Sequence, residues 1–138
     1  MNTVLKVLLI EDDAIEVMKL KRTISSLKLG HAIIEANNGL EALEILQGKK
    51  GLPDIILLDL NMPKVNGIEF LNILKKDSAL QHIPTIILTT SNNNKDMLEC
   101  YKIGIAGYVL KPLKYADYTR KIERVLAYWS CNELIKKI

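Results

Sequence analysis

Asp54-Ile55-Ile56-Leu57-Leu58-Asp59 decides the architecture of this chain, and Leu60-Asn61-Met62-Pro63 follows it directly. A strand with one wet face alternates polar and apolar residues. An unbroken apolar run between two carboxylates instead reads as a strand covered on both sides, the habit of parallel sheets packed between helices. Asp59 then stands at the carboxyl edge of a sheet, where open α/β folds place their chemistry.

Similar runs flank this one. Val4–Ile10 ends in Glu11-Asp12-Asp13, and His31–Glu35 is a shorter strand. Pro84 precedes Ile86-Ile87-Leu88, which ends in Thr89, and Tyr108–Leu110 ends in Lys111-Pro112. Between the strands lie helical patterns. Asp12 or Asp13 caps the first helix, with apolar Ile15, Met18, Ile24 and Leu27, and Gly30 ends it. Asn37-Asn38-Gly39 turns into a helix bearing Leu40, Leu43 and Leu46. Gly67 opens another with Ile68, Leu71 and Leu74, and Ser91–Asn94 leads into one with Met97, Leu98 and Tyr101. Ile122, Val125, Leu126 and Trp129 form an amphipathic stripe in the last helix. Five strands alternating with five helices predict a doubly wound α/β domain with a parallel sheet.

Composition sets bounds on function. At 138 residues the chain suits a single domain, and 49% hydrophobic with 25% charged residues excludes a disordered chain. The net charge of +3 comes from scattered basic residues with a small cluster at Lys136-Lys137, which does not point to nucleic acid. No signal peptide or membrane-spanning run is evident, so the expected location is the cytoplasm. Cys100 and Cys131 have no metal-ligand or redox spacing and read as reduced structural thiols.

Parallel strands send Glu11, Asp12, Asp59, Thr89 and Lys111 to one edge of the sheet. Three close carboxylates repel and need a divalent cation, a proton or an ammonium to stay together. Oxygen ligands without His or Cys suit Mg²⁺, with Mn²⁺ as the alternative. A phosphoryl group arriving at Asp59 would meet that cation, the Thr89 hydroxyl and the Lys111 ammonium, and a carboxylate is a known nucleophile for such chemistry. Each residue also has a plain structural reading. Asp13 serves as a helix cap, a threonine at a strand end is commonly structural, and a lysine before proline is commonly solvated.

Taken together, Glu11-Asp12, Asp59-Leu60-Asn61-Met62-Pro63 with Gly67, Thr89, and Tyr108 with Lys111-Pro112 resemble the receiver domain of two-component response regulators. The resemblance covers about residues 4 to 128 and implies a flavodoxin-like sheet of order 2-1-3-4-5. It implies that Asp59 takes phosphate from a phosphohistidine on a sensor histidine kinase or phosphotransfer protein. It also implies that Glu11, Asp12, Asp59 and the backbone carbonyl of Asn61 hold the metal. Thr89 and Lys111 would bind the phosphoryl group, Tyr108 would reorient with Thr89 as the switch, and Lys111-Pro112 would be cis. Asn61 and Ser91 would influence how long the phosphoryl group persists. Leu88–Ser91, Lys111–Lys114 and Tyr128-Trp129 add a narrower likeness to the regulators partnered with phytochrome kinases.

The chain reads as one stand-alone receiver unit over 1–138 that signals by binding an unidentified downstream protein, without contact to nucleic acid or membrane. The resemblance implies that it catalyses only its own phosphotransfer and autodephosphorylation. The last helix is expected to extend to about 137, its apolar Leu134, Ile135 and Ile138 packing on the sheet or forming a dimer contact. Monomer and homodimer both remain open. A phosphatase of the Asp-x-Asp kind is disfavoured because Asn61 stands where the second Asp acts as acid and base. Nucleotide binding is disfavoured because neither GxxxxGK[ST] nor GxGxxG occurs.

Overall fold

The computed structural model describes residues 3–48, 51–62 and 64–135. Pro63, the Lys136-Lys137 cluster and Ile138 lie outside the described residues. Strands and helices alternate as β1 (Lys6–Ile10), α1 (Ala14–Leu27), β2 (Ala32–Ala36), α2 (Gly39–Gln47), β3 (Ile55–Leu58), α3 (Gly67–Lys76), β4 (Thr85–Thr89), α4 (Asn94–Ile103), β5 (Gly107–Leu110) and α5 (Tyr115–Ser130). The sheet is parallel throughout in the order β2-β1-β3-β4-β5. The doubly wound arrangement and the strand order are thus as expected.

The apolar run of β3 is explained by its two covered faces. Ile56 and Leu58 join Leu8, Ile10, Phe70, Leu71 and Leu74 in one core cluster, whereas Ile55 and Leu57 join Val7, Leu9, Leu20, Ile24 and Ile122 in another. Successive strand side chains point to opposite faces, so a strand covered on both sides, as β3 is, is apolar throughout.

Local chemistry sets the helix starts. Asp13 Oδ1 accepts from the N–H of Ile15, Asn38 Oδ1 from Glu41, and Asn93 Oδ1 from Lys95 and Asp96. Asn66 and Glu69 exchange side-chain and backbone bonds in a capping box at the start of α3. Of the two candidate caps for α1, Asp13 therefore fills the position. Its end falls earlier than expected, because Lys28 is the left-handed cap residue, two positions before Gly30, whose φ is positive as well.

Three expectations need correction. Ile15 (69% exposed) and Met18 lie outside the core, and the buried stripe of α1 is Leu20, Thr23 and Ile24 with Val17 and Leu27 half-buried. In α4, Leu98 and Tyr101 likewise face out while Cys100 is buried. The last helix stops at Ser130, not near 137. There the Cys131 thiol and the Asn132 amide donate to the carbonyl of Tyr128, and the Ser130 hydroxyl to that of Ala127. Short polar side chains that satisfy these end-of-helix carbonyls locally compete with another helical turn.

Candidate functional site

Register brings the acids together. Ile10 and Leu58 are partners across β1 and β3, and the Asp59 N–H donates to the Ile10 carbonyl at 3.0 Å, so Glu11 and Asp59 leave adjacent strands side by side. Asp12 follows at the exposed rim. Glu11, Asp12 and Asp59 each offer one carboxylate oxygen, and these atoms all lie within 4.8 Å of one another. Glu11 (3% exposed) and Asp59 (8%) are buried.

Lys111 closes the site from the other side. Its backbone N–H donates to the Thr89 carbonyl at 2.9 Å, and its Nζ reaches Glu11 Oε1 at 2.6 Å in a buried ion pair. Glu11 Oε2 also accepts from the Asp13 N–H at 3.3 Å. Even so, burial outweighs these favourable contacts, with the Asp59 charge adding to it, and pushes the Glu11 carboxyl up to about 7. The acidic group is thus short of positive charge. Hard carboxylate oxygens at this spacing, with no His or Cys among them, fit Mg²⁺ or Mn²⁺.

Asp59 opens into a cavity of about 200 Å³ lined by Glu11, Asp12, Asp13, Asn61, Thr90 and Lys111, with Glu16 at its side. Thr89 is not on that lining. Its side chain is fully buried, and its Oγ1 accepts from the Ser91 N–H at 3.3 Å. Thr90, the next residue, is the one exposed there. Neither Thr90 nor Glu16 was singled out by sequence. Choosing between consecutive threonines depends on how the backbone leaves β4, which residue type does not reveal.

Tyr108 donates its hydroxyl to the Ser91 carbonyl at 2.7 Å, and burial raises the pKa of that phenol. No peptide bond is cis among the described residues, so the expected cis Lys111-Pro112 bond is trans here. Proline lowers the trans preference only to about 0.5–1 kcal/mol, still in favour of trans, and Lys111 reaches Glu11 in this form. Of the thiols, Cys100 is buried with its pKa pushed up to about 11 chiefly by burial, which suits an unreactive core residue, and Cys131 is exposed.

Gly67 fixes the loop after the acid. A Cβ there would stand 2.7 Å from both the Asp59 carbonyl oxygen and the Leu60 Cα, so only glycine permits this approach. Lys64 and Val65 in the same loop both have positive φ, which is uncommon for a β-branched residue. No helix among the described residues is long and apolar enough to cross a membrane.

Residues 7–123 match the response regulator receiver domain family. The chain is 35% identical over 127 residues to the probable methanogenesis regulatory protein FilR2 of Methanothrix harundinacea, covering 89% of this chain and 82% of that protein. It is 30% identical over 128 residues to response regulator Rcp1 of Synechocystis, covering 89% and 87%. The crystal structure of the phosphorylated cyanobacterial phytochrome response regulator RcpA superposes with a TM-score of 0.90 at 28% identity, covering 96% and 99%. The Mn²⁺-bound form of Rcp1 superposes at 0.88, with 28% identity and 95% and 99% covered.

Proposed function

The chain belongs to the response regulator receiver domain family of two-component signalling, and on that premise we propose that Asp59 is its phosphoacceptor. The observation that carries the reading is the position of Asp59. It is a buried carboxylate at the carboxyl edge, with two further acids within 4.8 Å and a lysine bonded to one of them.

In this reading an Asp59 oxygen attacks the phosphorus of a phosphohistidine on a sensor kinase or phosphotransfer protein. The P–O bond forms as the P–N bond breaks, leaving an acyl phosphate here and a histidine on the donor. Glu11, Asp12, Asp59 and the backbone carbonyl of Asn61 would hold Mg²⁺ or Mn²⁺, which supplies positive charge to the phosphoryl oxygens when bound. Lys111 exchanges its Glu11 partner for a phosphoryl oxygen. Thr89 uses Oγ1 as an acceptor for Ser91, so its own proton is free to donate to the phosphoryl group once the side chain turns toward Asp59. Ser91 is also held by Tyr108, and that movement would pass to the aromatic ring. Phosphorylation biases a two-state equilibrium in this way, and the state favoured is read by a protein partner.

Exposed apolar side chains supply a landing surface for the donor. Leu113 projects fully into solvent shortly after Lys111, and Ile15 is exposed shortly after Asp13. A kinase of phytochrome type is the first donor to try, because a phytochrome response regulator is among the chain's structural neighbours. We read residues 1–138 as one receiver unit acting by protein binding.

The test is incubation with acetyl phosphate, with Mg²⁺ or with chelator. Labelling that needs the cation and disappears in Asp59→Asn supports the proposal. Equal labelling with chelator, or in that variant, contradicts it.

A further inference from the structure

β2 is an edge strand, and its outer side is set up to pair. Its Ala32 N–H donates to the Leu5 carbonyl, and its Ala36 carbonyl accepts from the Glu11 N–H. In a parallel ladder alternate residues bond to opposite sides, so Ile34 faces β1 like Ala32 and Ala36 while its two neighbours face away. The N–H and C=O groups of Ile33 and Glu35 therefore face the open edge, where no strand pairs with them among the described residues. Such edges are normally guarded by a charged side chain. Here the charged residue on the edge is Glu35, which is drawn to Lys21 of α1 at 2.7 Å.

Beside this edge runs a groove of about 780 Å³, whose walls include Val17, Met18 and Arg22 of α1 and Glu35 of β2. It begins at Asp12 and Asn37 near the phosphorylation pocket. A second hollow of about 350 Å³, lined by Lys21, Ser25, Lys28, His31 and Ile33, continues the same flank toward the amino edge of the sheet. The chemistry changes along it. Exposed Met18 supplies apolar surface at one end, while Arg22 and Lys28, neither ion-paired among the described residues, leave a positive surplus further on.

We propose that the β2 edge and the α1 flank take up an extended acidic segment of a partner protein by strand addition. Backbone bonds to Ile33 and Glu35 would supply the pairing. Alternate side chains of the added strand would face α1, an apolar one meeting Met18 and acidic ones meeting Arg22 and Lys28. Charge argues against a second copy of this chain as the occupant. Two β2 edges related by a two-fold axis would run antiparallel with both α1 helices on one face, which brings the mid-helix Arg22 of each copy toward its counterpart. An acidic segment removes that conflict. The surface is separate from Asp59 chemistry and stands whether or not Asp59 is the acceptor.

The probe is a short synthetic peptide alternating valine and glutamate, added to the full chain while backbone amides are followed by NMR. Saturable binding with shifts and slowed exchange centred on the Ile33 and Glu35 amides is expected. That binding is lost with a backbone N-methylated peptide, with a valine–lysine peptide, and in the exposed double substitution Arg22→Glu with Lys28→Glu. Absence of binding, shifts centred elsewhere, or undiminished binding in the double variant overturns the proposal. Dimerisation of the chain alone through the same amides overturns it in favour of a second copy.

Discussion

Tyr108 holds Ser91 by its carbonyl at 2.7 Å, while the N–H of that same serine is bonded to Thr89 Oγ1. The aromatic ring and the proposed phosphoryl-binding threonine are therefore tied through one residue. A change in the Thr89 rotamer alters the N–H side of Ser91 and so the bond that fixes the phenol.

Tyr108→Phe keeps the ring and removes that bond. We expect a stability loss of about 0.5–1.5 kcal/mol, the ordinary net worth of one such bond. Phosphorylation by a small donor should keep its initial rate, but the accompanying shift of the Ser91 amide resonance should shrink. A Ser91 response equal to that of the unmodified chain would separate Tyr108 from the switch.

Glu11 gives the site a pH signature. Its carboxyl is raised from the ordinary 4.5 to about 7, chiefly by burial, so between those values the folded chain holds a proton that the unfolded chain has released. Stability of the metal-free protein therefore contains a contribution that is present at low pH and lost as pH rises through this window. Metal binding needs the carboxylate and should strengthen over the same range. Thermal unfolding across pH, with and without MgCl₂, should show both trends relative to Glu11→Gln. If the metal-free difference between the two proteins is flat from pH 5 to 7, the assignment fails.

Gly67 marks how closely α3 approaches the acid-bearing loop. Gly67→Ala must displace the backbone at Asp59 or Leu60, since the new methyl would stand 2.7 Å from each. The expected cost is about 1–3 kcal/mol, typical of overpacking, together with slower phosphorylation by small donors. Wild-type melting and rate would mean that the loop moves aside freely.

Leu113 and Ile15 separate docking from chemistry. Leu113→Asp with Ile15→Asp should leave labelling by acetyl phosphate intact while slowing transfer from a phosphorylated kinase domain. Both side chains are exposed, so the fold should persist. Equal slowing with the two donors would place these residues in the chemistry instead.

Much of this was legible in the residues. Ile55–Leu58 announced a doubly covered strand because no polar residue interrupts it, and Glu11, Asp59 and Lys111 announced a site because each ends a strand of the same sheet. The phase of α1 and α4 was not legible. Counting apolar residues at helical spacing gave Ile15 and Met18 the same weight as Ile24 and Leu27, and picked out Leu98 and Tyr101 beside Met97, yet Ile15, Met18, Leu98 and Tyr101 face water. Apolar residues kept on a surface carry the same sequence signal as a core. The end of α5 was misread for a related reason. Leu134 and Ile135 continue the apolar pattern, but Ser130, Cys131 and Asn132 bond to the final turn and stop it first. The trans Lys111-Pro112 bond was likewise beyond the sequence, since proline permits both forms.

The central claim is the identity of the acceptor. An acyl phosphate is reduced by borohydride, which converts the modified aspartate to homoserine and leaves free carboxylates untouched. After phosphorylation with Mg²⁺ and reduction, peptide mass spectrometry should find homoserine at position 59 and none in a sample treated with chelator. Homoserine at Asp12 or another acid with Asp59 unmodified, or a phosphorylated product with no homoserine at all, would contradict the account.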